Sequence, residues 1–441
     1  MAIRMLAFGD LHLGRSASAV PGDPPEASTK FMWDRLVDHA IGNDIDALLL
    51  LGDIVDQDNR YFEAVGPLLS GFEKLGRQGI QVYLVSGNHD YEVLAQIAGT
   101  QGDSLQGEQA GNVHLLGRAG KWEMKTFQKG DLSLQIAGWS FPGRHVPGSP
   151  MQDFHEVSRK RDPDRPLIGL LHCDVDVRES PYAPVSLNEL IHTDADAWLL
   201  GHVHKPGALN VSDPAIWYSG SPHAMSAKET GRHGPLLVTV RGKSDLEIQR
   251  LPLSPVRYET IKLDVSQAPD EESVRNLVTT SLYENAREVD GELEHVSHLV
   301  FDMELNGEHA ESRKLEAWTA KVNEDLVMPA AGGTILSVRK VINLVRPAVE
   351  DLQALAGESS PAGLLASAIL TLQDGGTNPF LEELGQQWKA VFADIMRSGT
   401  YMPLRHQGRI PEDVEWEFRK YASQECNRLL NELLSQREPI N

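Results

Sequence analysis

Five apolar segments in the first half of the chain each stop at a side chain that can bind a cation, and this recurrence limits the fold more than any other feature. The segments are "LAFGDLHLG", "LLLLGDIVD", "YLVSGNHD", "IGLLHCD" and "WLLGHVH". They deliver Asp10 and His12, then Asp53, then Asn88 and His89, then His172, then His202 and His204. Short apolar runs bounded by Gly and polar residues read as buried strands. If the strands are parallel, their C-terminal ends share one edge of a sheet, which is where α/β proteins bind ligands.

The surrounding pattern supports such a sheet. Residues 3–8 read as a core strand, 29–42 as a helix, 46–51 as a strand, 61–77 as a helix and 80–86 as another strand. Further strands are expected at 132–140, 166–172, 197–202, 215–220 and 234–240. Strands alternating with helices argue for an α/β domain, here residues 1–255. A smaller β-α-β-α-β unit follows at 256–346, with strands at 258–265, 298–305 and 334–345 and helices at 270–288 and about 309–325. Residues 347–441 read as helices only, at about 348–356, 361–373, 379–397 and 412–435. Two of these carry apolar stripes: Leu381, Leu384, Trp388, Val391, Phe392 and Ile395, and Val414, Phe418, Tyr421, Leu429, Leu430, Leu433 and Leu434.

A chain of 441 residues is too long for one ordinary core. Its two cysteines, Cys173 and Cys426, argue against a disulfide framework and suit a reducing cytoplasm. The N-terminus lacks the apolar core and cleavage site of a signal peptide, and no apolar run approaches the ~20 residues that span a bilayer. The net charge is −22, and each expected domain is acidic, so no domain is a basic nucleic-acid module. A nucleic-acid substrate would need a local patch, bound metal or a partner to offset repulsion.

Asp, Asn and His together suit borderline divalent cations such as Mn, Fe or Zn better than Ca or Mg. The donors outnumber the needs of one tetrahedral ion. A carboxylate from the central strand can bridge two ions, and two ions about 3.5–4 Å apart can activate a water and stabilise in-line attack on phosphorus. Singly, a Gly-Asp after a strand is a turn and a Gly-His-x-His is weak. The ordered set carries the argument.

That set, "GDLHLG", "GDIVDQ", "GNHD", "LLHCD" and "GHVHKP", resembles the calcineurin-like metallophosphoesterases, and within them the SbcD-type DNA repair exonucleases. "YAPVSLNEL" before the last motif and "YSGSPHAMSAKETG" after it support the subgroup. The resemblance implies a sandwich of sheets flanked by helices, a small α+β capping domain and a helical C-terminal tail. It implies a metal-dependent DNA nuclease, an exonuclease with endonuclease activity also in scope, acting in DNA end processing with an SMC-like coiled-coil ATPase that docks on the C-terminal helices. It further implies two divalent ions, foremost Mn(II), and a homodimer. One ion would be held by Asp10, His12, Asp53 and His204, the other by Asp53, Asn88, His172 and His202, with Asp53 bridging. His89 would face the scissile phosphate and act as a catalytic residue beside Asp53. One position departs: some members have histidine three residues after the bridging aspartate, where this chain has Asp56.

Other readings stand beside these. Arg15 is the first basic residue expected to touch phosphate. "SRKRDPDR" (158–165) and "GRHG" (231–234) are locally basic, though each also reads as a solvated loop. Cys173 reads as core packing. The C-terminal stripes can pack on each other rather than on a partner. The rival functions are a phosphatase or small-molecule phosphodiesterase on the same sheet, and a non-catalytic regulator of an ATPase.

Overall fold

The computed structural model describes residues 2–56, 61–104, 111–177, 179–312, 314–320, 322, 326–347, 352–397 and 414–435. The chain divides into two compact units, residues 1–259 with 289–300 and 329–337, and residues 260–288 with 301–328 and 338–441.

The first unit is built on two six-stranded sheets. Its strands are β1 (Ile3–Phe8), β2 (Ala47–Leu51), β3 (Gln81–Val85), β4 (Val113–Leu115), β5 (Glu123–Lys129) and β6 (Leu132–Trp139). They continue with β7 (Leu167–His172), β8 (Ala197–Gly201), β9 (Gly207–Asn210), β10 (Ala215–Tyr218), β11 (Leu236–Gly242) and β12 (Asp245–Arg250). One sheet runs β12-β11-β1-β2-β3-β4 and the other β5-β6-β7-β8-β10-β9. In the first, β2 lies parallel between β1 and β3, with Leu49 opposite Ala7 and Tyr83. In the second, β7 lies parallel between β6 and β8, with Leu171 opposite Trp139 and Leu200. The sheets are therefore those of the flanked sandwich.

Side-chain alternation along the strands makes the layers. Ile3, Met5 and Ala7 of β1, Leu49 and Leu51 of β2, Ile168 and Leu170 of β7, and Leu199 of β8 share the core between the sheets. The intervening residues face the other way. Leu6, Phe8, Leu48 and Leu50 pack against helices α1 (Thr29–Gly42) and α2 (Tyr61–Arg77) through Trp33, Leu36, Leu68 and Phe72. Val93 and Leu94 of α3 (Tyr91–Ser104) join them. On the far side Trp139, Leu171, Trp198 and Leu200 meet Phe154 and Val157 of α4 (Phe154–Ser158) and Leu190 of α5 (Leu187–Ile191). Strands buried on both faces carry apolar residues at every position, which is why "LLLL" at 48–51 is one strand and not a helix.

After residue 255 come β13 (Val256–Asp264), α6 (Glu271–Glu288), β14 (His298–Asn306), β15 (Glu308–His309), α7 (Lys314–Thr319), β16 (Val327–Pro329), β17 (Ile335–Asn343) and β18 (Arg346–Pro347). Four of them form a sheet in the order β13-β14-β17-β16, and β15 pairs with β18. The helix expected at about 309–325 begins later, at Lys314, because residues 308–309 are used in a strand pair. The tail helices are α8 (Leu352–Ala356), α9 (Pro361–Gln373), α10 (Pro379–Arg397) and α11 (Val414–Ser435). The expected starts at 348 and 412 lie outside the described residues. Leu355, Leu365, Ile369, Leu381 and Leu430 form a core of their own. The two stripes are only partly buried: Val391 is 60% exposed and Tyr421 47%. The side chains of Ile395 and Val414 lie outside the described residues. No described helix is long and apolar enough to cross a membrane.

Gly169 of β7 offers a test of the packing. A Cβ there would sit 2.3 Å from the Trp198 ring. Gly169→Ala should destabilise the chain by about 1–3 kcal/mol, since overpacking forces a neighbour off its rotamer. Urea denaturation would show the loss as a lower midpoint with an unchanged slope.

Candidate metal centre

The strand ends meet as the sequence pattern requires. Asp10 and His12 follow β1, Asp53 follows β2, and Asn88 and His89 follow β3. His172 is the last residue of β7, and His202 and His204 follow β8. All seven expected ligands and His89 are brought together. Ligand atoms of Asp10, His12 and His204 lie within 4.8 Å of one another, and so do those of Asp53, His172 and His202. Asn88 joins the second group, with Oδ1 3.1 Å from His172 Nε2.

Holding these side chains inward strains the backbone. Asp10 (φ 54°), His12 (φ 47°), Asp53 (φ 51°) and His202 (φ 92°) all have positive φ. Such residues cost of order 1–3 kcal/mol each and persist only where surrounding bonds fix them. Those bonds are present. Asp10 N donates to Gly52 O at 3.0 Å and His12 N to Asp53 O at 3.0 Å. His202 N donates to both Asp10 carboxylate oxygens, at 3.1 and 2.9 Å. Gly52 itself has φ 88°, and a Cβ there would lie 2.7 Å from His172 Nδ1.

The proton positions show whether the pocket fits cations. His172 Nδ1–H donates to Leu51 O at 2.9 Å, so a neutral ring turns a lone pair at Nε2 inward. That lone pair faces Asp53 Oδ2 at 3.3 Å and Asn88 Oδ1 at 3.1 Å. His204 Nδ1–H is held by Glu229 Oε1 at 3.2 Å, and its Nε2 faces His12 Nε2 at 3.2 Å. Around His172 Nε2, acceptors converge in a buried space, which a proton or a cation between them relieves, while between His12 and His204 a single ring proton or a cation can fill the gap. Divalent cations fit both gaps, one at Asp10, His12 and His204 and one at Asn88, His172 and His202, with Asp53 beside the second and electrostatically coupled to His12 of the first.

Without cations, protons do this work. Burial alone would lower His172, but the Asp53 charge overrides it and carries the ring up to about 9. Burial would likewise raise Asp53, but His172 holds it far below the usual carboxylate range. Burial, aided by His204, pushes His12 down to about 3.

His89 shares a third cluster with His12 and Asp56, their ligand atoms within 4.8 Å of one another, and belongs to neither of the two groups above. Its backbone N donates to Asp53 Oδ1 at 2.9 Å, and its ring is 25% exposed, with Nδ1 3.7 Å from Asp56 Oδ1. Asp56 is fully buried and raises the His89 pKa above its ordinary value against the opposing effect of burial. The imidazolium is thus favoured at a place open to substrate. Asp56 therefore answers the departure noted in the sequence: a carboxylate there supports His89.

Several residues of the site were not assigned from sequence. Asp90 accepts from Gly87 N (2.8 Å) and Ile54 N (2.7 Å) and ties the turns after β2 and β3 together. Asp174 Oδ1 lies 3.3 Å from His202 Nε2. Glu229 holds His204. Asp90 and Asp174 stand within quoted motifs, so their signal was adjacency to a ligand; Glu229 had no signal but its segment. Among the basic candidates, Arg15 pairs with Asp56 and stays 39% exposed. Arg161 and Arg165 of the 158–165 stretch pair with Asp196 and Asp162, at 3.7 and 2.9 Å. Arg232 faces Glu292 at 3.4 Å, and His233 is buried. Cys173 is core packing.

Residues 3–206 match the family described as calcineurin-like phosphoesterases. The chain is 32% identical over 265 residues to the uncharacterized metallophosphoesterase YhaO of Bacillus subtilis, a match covering 59% of this chain and 60% of that protein. It is 24% identical over 278 residues to the DNA double-strand break repair protein Mre11 of Methanosarcina acetivorans, covering 61% and 42%. The matches span less than two thirds of the length of these relatives. Among solved structures, a dimetal phosphatase from Danio rerio has 14% identity and a TM-score of 0.35, covering 56% of this chain and 98% of that one.

The proton on His172 sets a pH dependence for cation uptake. Below about 9 the cation must displace it. Affinity for Mn(II) should therefore fall at least about tenfold per pH unit from pH 8 to pH 6, with protons released on binding. Calorimetric titration in buffers of different ionisation heat measures both quantities. An affinity flat across that range would remove His172 from the ligands.

Proposed function

We propose that the chain, whose residues 3–206 match the calcineurin-like phosphoesterase family, is a metal-dependent nuclease that hydrolyses phosphodiester bonds in DNA. The observation that carries the reading is His89, held by Asp56 beside two groups of convergent cation donors. The step from hydrolase to nuclease is supported by the similarity to Mre11, which at 278 residues is longer than the family match over 3–206.

Bound in these two gaps, divalent cations such as Mn(II) would supply Lewis acidity, drawing charge from the phosphoryl oxygens and making a water acidic enough to attack near neutral pH. Asp10, His12, His204 and Asp53 would hold one, and Asp53, Asn88, His172 and His202 the other. The chain's own contribution to bond cleavage is His89. Its protonated ring donates to the leaving oxygen as the P–O bond breaks, and Asp56 steadies the charge before transfer. The seven ligands and Asp90 keep the donors rigid, so little reorganisation accompanies reaction. Arg15, on the exposed side of Asp56, is placed to meet a flanking phosphate.

A net charge of −22 repels a DNA backbone. We assign the missing attraction to a partner, an SMC-like coiled-coil ATPase, and its docking surface to the tail helices. Val391 of α10 and Tyr421 of α11 leave apolar surface exposed there, beside Trp388, whose ring lies 5.7 Å from that of Tyr421.

Four measurements test this reading. With Mn(II), the chain should cleave labelled DNA far better than p-nitrophenyl phosphate; the reverse preference would make it a phosphatase. His89→Ala should lower kcat about 10²–10⁴-fold while both ions stay bound. Asp56→Asn removes the charge that raises His89, so the alkaline limb of the kcat profile should move to lower pH. A limb that does not move would separate Asp56 from the acid. Finally, Val391→Asp with Tyr421→Ser should abolish co-purification with the coiled-coil ATPase of the same genome, at an unchanged melting temperature.

A further inference from the structure

Glu229 lies outside the 3–206 segment and outside the seven expected ligands. Its side chain is only 13% exposed. Both carboxylate oxygens are engaged. Oε1 meets His204 Nδ1 at 3.2 Å, while Oε2 accepts from Ser221 Oγ at 2.7 Å and Met225 N at 3.1 Å. The segment that carries it is itself tied to the site: Ser221 N donates to His204 O at 3.0 Å, and Glu229 N to Ser226 O at 2.8 Å. On the other side of Ser221, His233 Nδ1–H donates to its carbonyl at 2.8 Å. The carboxylate is thus fixed before any cation arrives.

A carboxylate on the far nitrogen of a ligand histidine does two things. It selects the tautomer with its proton on the nitrogen it faces, which for His204 is Nδ1, and it increases the electron density that the other ring nitrogen offers. The other group has its own carboxylate on the opposite ring nitrogen: Asp174 Oδ1 lies 3.3 Å from His202 Nε2, which leaves Nδ1 free, and Asp174 Oδ2 accepts from Ser180 Oγ. Each group of donors therefore has one outer carboxylate. His12 has none: its Nδ1 is buried with no hydrogen-bond partner among the described residues. Of the two imidazoles in the first group, only His204 is oriented by a charge.

Resting on the two-cation reading above, we infer that Glu229 is a positioning residue for one cation only, the one held by Asp10, His12 and His204, and that Asp174 plays the same part for the other. The loop 221–229 then sets the affinity of one half of the site independently of the other. Serial loading of two cations would follow from this division.

The test uses single-cation backgrounds of the full chain. His202→Ala should leave the Asp10 group as the tight site, and His12→Ala should leave the His172 group. Mn(II) titration followed by electron paramagnetic resonance counts bound ions in each. Adding Glu229→Gln should weaken Mn(II) about 10–100-fold in the His202→Ala chain and leave the His12→Ala chain unchanged. Asp174→Asn, added to the same two chains, should show the opposite selectivity if read against the ion each retains, weakening only the His172 group. Glu229→Asp should restore part of the affinity. Should Glu229→Gln lower the melting temperature, Ser221→Ala, which removes only the hydroxyl on Oε2, gives a smaller loss at the same site. Equal weakening in both backgrounds would reduce Glu229 to a structural role, and no weakening in either would remove it from the site. A wild-type chain that takes up fewer than two ions would instead overturn the two-cation reading itself.

Discussion

The end of β2 is where the two sheets become one site. Three successive carbonyls do this: Leu51 O accepts from His172 Nδ1, Gly52 O from Asp10 N, and Asp53 O from His12 N. The first bond reaches across to β7 of the other sheet, and the next two fix the turn after β1. The Asp53 carboxylate then receives His89 N from the turn after β3. Loops after β1, β2 and β3 and the end of β7 are therefore locked to a single three-residue turn. Gly52 and Gly201 permit this closeness, since a Cβ on Gly201 would lie 2.2 Å from Leu51 O.

The arrangement is costly in isolation. Four ligand positions have left-handed backbone, and six buried or half-buried acceptors face each other. Backbone strain of this kind is tolerated where the neighbouring structure determines it fully, and the deep apolar cores on both faces of each sheet supply that rigidity. The electrostatic part is different: it is relieved by protons or cations rather than by packing, and the Asp53 charge facing His172 accordingly raises that ring's pKa. Asp174 and Glu229 face His202 and His204, and Asp56 faces His89.

Edge strands were the hardest elements to read. β12, "DLEIQR", has no buried residue, and β5 buries only Phe127, so neither carries the apolar run that marks β2 or β7. Both pair on one side only, and their backbone partners hold them in the sheet. The tail stripes failed in the opposite direction. Val391 and Tyr421 fit a helical apolar face by spacing, yet they are exposed, because spacing places residues on one side of a helix without saying how wide the covering surface is.

The sequence by itself determined the strand–helix order, the strand ends that carry donors, and the eight side chains that converge there. It could do so because each donor stands within a few residues of the apolar run that positions it, and parallel strands bring such ends to one edge. Only the tertiary structure decided which strands join which sheet, that His172 reaches Leu51, and that Glu229, Asp174 and Asp56 are the charges beside His204, His202 and His89. Those pairings join residues by hydrogen bonds and charge across folded loops, where no periodicity of the chain records which carboxylate will face which ring.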